Sequence, residues 1–172
     1  DLNGNFLFGK TAIGNYSDSF EEIDIDSKGN IYVTGYFFGD LDFGDSAIYN
    51  PYNNISSGFA FGFITKYDSA GNYLWVKVMG GDSTYVFPQG LNIDKYNNIY
   101  ISATFLDTVQ LDTFQIYSNP ESMFTASFDP MGNTRWVLKT EPLGPASVPN
   151  QCSSMDKDGN MYVGGIFFDS VK

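Results

Sequence analysis

Apolar and polar positions alternate with a period of two at several places along the chain. Phe59, Phe61, Phe63 and Tyr67 fall on one side of a segment, as do Phe124, Ala126 and Phe128 in another, the pattern of a strand with one buried face. The stretches "IYVTG" at 31–35 and "MYVGG" at 161–165 are rich in β-branched and aromatic residues and apolar on both faces, as strands covered by neighbouring sheets are. No segment shows the apolar stripe of an amphipathic helix. The pattern predicts strands at about 20–26, 30–37, 59–67 and 73–79, then at 89–94, 98–105, 123–128 and 134–139, and last at 151–156 and 160–168. Residues 5–9 read as a further strand ahead of these.

What separates the strands is a phrase. Asp-x-x-Gly-Asn begins at Asp1, Asp26, Asp68, Asp129 and Asp156, and "DKYNN" at Asp94 is a degenerate copy. The aspartate accepts hydrogen bonds from backbone a few residues on, and the glycine supplies the positive φ of a tight turn. Asn97, in the glycine's place, is the next most tolerant residue there. This assigns Asp26, Gly29 and Asn30, Asp68, Gly71 and Asn72, Asp129, Gly132 and Asn133, and Asp156, Gly159 and Asn160 to structural turns.

Tyr32, Tyr100 and Tyr162 recur 68 and 62 residues apart, and the pairs Leu74-Trp75 and Arg135-Trp136 recur 61 apart. Each unit of about 61–68 residues therefore holds four antiparallel strands. Such units repeated head to tail are β-propeller blades, each sheet packing on the next. The expected fold is an all-β, incomplete propeller. Residues 1–19 form the outer strand of a preceding blade and a link, 20–79 and 80–139 two full blades, and 140–172 a partial one. Fewer blades than the four to eight that close a ring make a fragment of a longer chain the expectation.

The run "FITKYDSAGNYLWVKVMGG…GLNIDKYNNIYISATF" resembles the SBBP family, a bacterial β-propeller repeat. The resemblance implies a segment of a large secreted or cell-surface protein. "SFDPMGN" departs from it in lacking the lysine before the turn, and "KTEPLGPASVPN" at 139–150 replaces the Gly-Gly seen at Gly80-Gly81.

Composition narrows the function. With 42 % hydrophobic residues the chain can bury a core, and a net charge of −11 repels nucleic acid and anionic lipid. No apolar run approaches the about 18 residues of a membrane span. Cys152 has no second cysteine to pair with, and the chain has no histidine, so the common general base and imidazole ligand are missing. Glu21, Glu22, Asp24 and Asp26 cluster beside a turn, which accounts for them without catalysis. "DKDGN" at Asp156 resembles the front of a calcium loop, but a loop begun at Ser154 ends on Gly165 instead of glutamate and one begun at Asp156 lacks glycine at its sixth position. No metal or cofactor is expected.

The links 39–58 and 106–122 share "LD" (Leu41-Asp42, Leu111-Asp112) and "IY" (Ile48-Tyr49, Ile116-Tyr117), which predicts a small extra hairpin in each. Tyr49, Tyr52, Asn53, Asn54 and Tyr117 on them are the candidate contacts for a glycan or protein, since aromatic faces and amides stack on and hydrogen-bond to such ligands. The expectation is a non-catalytic scaffold or interaction module, completed by the rest of its own chain or by a protein partner. The rival is a polysaccharide-acting propeller enzyme using Asp and Glu alone, which requires convergent carboxylates, one with a raised pKa.

Overall fold

The computed structural model describes residues 2–14, 16–43, 47–48, 59–140 and 150–166. Thirteen strands occur among them: β1 (Ile13–Gly14), β2 (Ser19–Ile25), β3 (Ile31–Phe37), β4 (Leu41–Asp42), β5 (Ala47–Ile48), β6 (Phe61–Tyr67), β7 (Tyr73–Met79), β8 (Tyr85–Ile93), β9 (Ile99–Leu111), β10 (Phe114–Phe128), β11 (Thr134–Lys139), β12 (Asn150–Met155) and β13 (Met161–Gly165). They form two four-stranded sheets, β2-β3-β6-β7 and β8-β9-β10-β11, with β12-β13 as a two-stranded sheet and β1-β4-β5 as a small third layer. Every strand pairing within these sheets is antiparallel.

The sheets stack as blades. The second blade's first strand, β8, lies on β2, β3 and β6 of the first blade, and β12 lies in turn on β8 and β9. Tyr32, Ile64 and Met79 of the first blade share one core cluster with Leu91, Ile99, Ile101, Phe105 and Phe124 of the second. A second cluster, built on Phe37, Leu41, Phe43, Phe61, Phe63 and Tyr67, lies within the first blade and its added hairpin. Backbone bonds also stitch the blades, since Val86 N–H donates to Ala60 O at 2.9 Å.

Two expectations change. Residues 5–9 form no strand. Phe6 and Leu7 are exposed and no described strand lies beside them to receive a ladder, so the sequence pattern of a strand finds no partner. Phe8 nevertheless keeps a blade-like place: a Cβ on Gly71 would stand 2.8 Å from its ring. Trp75 sits likewise on Gly132, with a Cβ there 3.3 Å away, and Phe8 follows Asp1 at the distance that Trp75 follows Asp68.

The third strand of the first blade has no solvent face. All seven residues of β6 are buried, because Phe61 and Phe63 enter one cluster and Ile64 the other. The second blade packs closely on Gly62, where a Cβ would meet Val86 Cγ1 at 2.8 Å.

The added hairpins exist in both blades, in different forms. In the second, β9 and β10 run past the sheet and pair down to Leu111↔Phe114, with a register break between Ser118 and Ser122 and a left-handed Asp107 at φ 70°. The arm buries Val109 and Leu111 and packs Phe114 and Ile116 on the core, so it folds back on the blade. Asp112 fixes its tip: Lys77 Nζ donates to Oδ1 at 2.6 Å, and Thr134 N–H and Oγ1 donate to Oδ2 at 2.8 and 2.6 Å. In the first blade the hairpin is β4-β5 and pairs with β1. Residues 49–58, with Tyr49, Tyr52, Asn53 and Asn54, and residues 141–149 lie outside the described residues.

Candidate functional site

The recurring turns have one geometry. In the copy at Asp26, Oδ1 accepts the N–H groups of Lys28 and Asn30, both at 2.9 Å, and Oδ2 accepts Asn30 Nδ2 at 2.7 Å. The backbone closes the loop, with Asp26 N–H donating to Asn30 O and Gly29 N–H to Asp26 O. The same bonds recur at Asp68, Asp94, Asp129 and Asp156. The fourth residue is left-handed in each, at φ 81° to 88° for the glycines and 65° for Asn97. The side chain thus reaches residues two and four along, and the aspartate's own carbonyl takes the third.

A tyrosine separates the two kinds of turn. Tyr32, Tyr100 and Tyr162 donate their hydroxyls to Oδ2 of Asp26, Asp94 and Asp156 at 3.1, 3.1 and 3.2 Å. These are the turns between first and second strands. In the turns between third and fourth strands the sixth residue after the aspartate is Leu74 or Arg135, and the bond is missing. The sequence carried this signal in the spacing Asp-x-x-x-x-x-Tyr, which marks only one kind of copy.

Electrostatics follow from these bonds. Burial pushes Asp26, Asp94 and Asp129 up, but the asparagine amide and backbone N–H groups outweigh it and hold each below the ordinary 3.8. In the exposed turns the asparagine amide leads, lowering Asp68 and Asp156. Burial also raises Asp112, yet Lys77 and Thr134 bring it down to about 2. Asp18 goes the other way, raised by burial against a bond from Phe38 N–H. A carboxyl whose folded value is depressed stabilises the fold above its unfolded value, and that stability is lost as pH falls through the folded one. With six depressed and one raised, the urea midpoint should hold from neutral pH to about pH 5 and fall steadily below about pH 4. A midpoint that rises on acidification through that window would contradict the turn geometry.

The blades are also tied by polar bonds. Asp24 Oδ2 accepts Ile93 N–H at 2.8 Å, Ser27 N–H and Oγ donate to Asn97 Oδ1 at 3.1 and 2.9 Å, and Lys66 Nζ donates to Pro130 O at 3.0 Å. Asp24 and Asp26 thus have structural partners, and Glu21 and Glu22 face solvent on β2. Asp18 lies in a pocket of about 170 Å³ with Ala12, Ser19, Phe20, Leu41 and Phe63, and no second carboxyl among the described residues lines it. Among the described residues no three acidic or thiol groups gather as a metal centre would require.

Of the candidate contacts, Tyr117 is placed on the folded-back arm, half exposed, where its carbonyl accepts Lys139 Nζ at 3.0 Å. Its neighbour Ile116 packs inward. One exposed region escaped the sequence reading: a cavity of about 410 Å³ over β2, β3 and β6 of the first blade, lined by Phe8, Ile23, Val33 and Tyr67 and by the side chains of Glu21 and Glu22, among others.

Comparison with known proteins agrees with this geometry. Residues 7–36 match the SBBP β-propeller repeat model, a stretch that runs from the segment over Gly71 through β1 and β2 into β3. The chain is also similar to an uncharacterized WD repeat-containing protein of Acanthamoeba polyphaga mimivirus, 28 % identical over 159 residues. That match covers 84 % of this chain and 11 % of the relative. Residues 7–36 carry an SBBP β-propeller repeat, and the four-stranded antiparallel blades built around it make this chain a segment of a β-propeller.

Proposed function

We propose that the chain is a non-catalytic interaction module of a larger secreted or cell-surface bacterial protein, binding protein or glycan through the hairpins added between second and third strands. The observation that carries the reading is a contrast between the two ends of each blade. At one end the Asp-x-x-Gly-Asn turns repeat bond for bond and their carboxylates are occupied by the turn itself. At the other end the added hairpins share a short pattern but differ in build, one a layer with β1 and one a folded-back arm bearing Tyr117. A constant frame with variable additions suits recognition. The secreted, bacterial setting rests on the resemblance of the repeat.

The rival is hydrolysis by carboxylates, and Asp18 favours it by its raised value. Glycoside hydrolysis needs a second carboxyl within about 5–10 Å on the other side of the bond, and among the described residues none lines the pocket at Asp18. A panel of oligosaccharides screened for binding, with nitrophenyl glycosides screened for turnover, separates the two. The expected outcome is binding without turnover, weakened about tenfold in Tyr117→Ala with an unchanged melting temperature. Turnover that is lost in Asp18→Asn would replace this proposal with the enzyme.

A further inference from the structure

Five aromatic rings form a row at the end of the blades opposite the Asp-x-x-Gly-Asn turns. Phe38 meets Tyr36 at 5.9 Å, Tyr36 meets Phe87 across the junction between the two blades at 4.9 Å, Phe87 stacks on Tyr85 at 6.3 Å, and Tyr85 meets Phe59 at 5.7 Å. The strands place them: Tyr36 and Phe38 stand at the end of β3, Phe59 just before β6, and Tyr85 and Phe87 at the start of β8. None of the five belongs to either core cluster, and all are partly exposed.

A polar cleft of about 280 Å³ adjoins the row. It lies between the link from β7 to β8 and the folded-back arm, lined by Asp82, Ser83, Asp107, Thr108, Gln110 and Gln115 over Gly81. Asp82 and Ser83 lead into Tyr85, which pairs with Leu106, the residue before Asp107. The two walls are tied together, since Thr84 Oγ1 donates to Thr108 O at 2.5 Å and Gln110 N–H donates to Gly80 O at 3.0 Å. Glycine at position 81 permits this approach, because a Cβ there would collide with Thr108 O. Tyr117 flanks the cleft on its far side: it pairs with Thr108 as Gln115 pairs with Gln110, and so shares their face of the arm.

We propose that the row and the cleft together bind a neutral glycan, the rings stacking on sugar faces and the cleft holding the hydroxyls of one sugar. The assignment rests on the reading of this end as the recognition face, and it names the ligand. Chemistry selects the occupant. A sugar carries apolar C–H faces and hydroxyls side by side, which suits flat rings next to hydrogen-bonding groups. The carboxylates of Asp82 and Asp107 only accept, so they match O–H or N–H donors and not the carbonyls of a polyproline segment. The two amides and two hydroxyls beside them both donate and accept, as a hydroxyl ligand needs and a cation does not. No Lys or Arg among the described residues lines the cleft, and a net charge of −11 repels an acidic glycan. The bonds that tie the walls shape the cleft before a ligand arrives, which lowers the cost of binding.

The test is titration calorimetry on the 172-residue chain with unbranched hexamers of glucose, xylose and mannose, and with decaproline and decalysine beside them. The expected result is saturable binding of at least one hexamer, equal at about 0.05 M and about 0.5 M salt, with neither peptide bound more tightly. Tyr36→Ala should weaken it about tenfold, and so should Asp82→Ala and Gln115→Ala. The last two replace exposed residues and should leave the melting temperature in place, which separates lost affinity from lost fold. A hexamer bound equally by all three variants but released by Tyr117→Ala overturns this site and leaves the recognition face standing. Binding of no hexamer, or tighter binding of decaproline or decalysine, overturns the glycan and leaves a protein as the ligand of that face.

Discussion

Asp26→Ala should lower the unfolding free energy by about 3 kcal/mol, the larger part of it from groups left buried without a partner. The Asp26 side chain is 1 % exposed and its carboxylate accepts two backbone N–H groups, the Asn30 amide and the Tyr32 hydroxyl. Lys66 Nζ lies 4.0 Å from Oδ2, its side chain 10 % exposed. Alanine removes every acceptor at once, leaving a buried phenol without a partner and an ammonium held only by the Pro130 carbonyl. Water can replace little of this, because the second blade closes the site. Asp156→Ala removes the same local bonds from a turn open to solvent, and its effect should be far smaller. Asp26→Asn keeps one acceptor oxygen and should fall between. Urea unfolding of the three variants makes the comparison; equal losses at Asp26 and Asp156 would mean that the local turn, and not its burial under the next blade, sets the energy.

That contrast also marks what the sequence could reveal. The repeated phrase gave the turns, the order of four strands and the blade period, because each depends on residues close in the chain: an aspartate, a glycine and the backbone between them. Asn97 was readable for the same reason, since only its own φ decides the matter. Features set by a neighbouring blade were not readable. Residues 5–9 have the composition of a strand but no ladder, and strand identity belongs to a pair. The alternation in β6 suggested one buried face, while the packed blade buries both. The links between second and third strands were legible as hairpins from their shared "LD" and "IY". That one folds back to bury Val109 and Leu111 is decided by Asp112 finding Lys77 and Thr134, partners 35 and 22 residues away. Ser127 in place of a lysine registered only as a departure from the pattern. That Arg135 Nη1 donates to Ser127 Oγ at 3.1 Å needs the structure, since the two occupy different strands.

The tryptophans carry the second large effect. Trp75→Ala should cost about 3 kcal/mol and Trp136→Ala well under half of that, although the two residues occupy one position of the repeat. Trp75 packs edge-on to buried Tyr32 and lies over Gly132, where a Cβ would come within 3.3 Å, so truncation opens a cavity between two blades. Trp136 is half-buried like Trp75 and has the matching tyrosine at 5.9 Å, but no described turn lies above it and it does not pack on the core the blades share. The chain has two tryptophans, so each variant leaves a single fluorophore that reports on the other junction. In Trp75→Ala, Trp136 should report a lower urea midpoint, since the first blade buttresses the second. In Trp136→Ala, Trp75 should report a nearly unchanged one. Equal losses in the two variants would place the stability of each blade within its own sheet, and the contact from one blade's tryptophan to the next blade's turn would then be a consequence of stacking and not a cause of it.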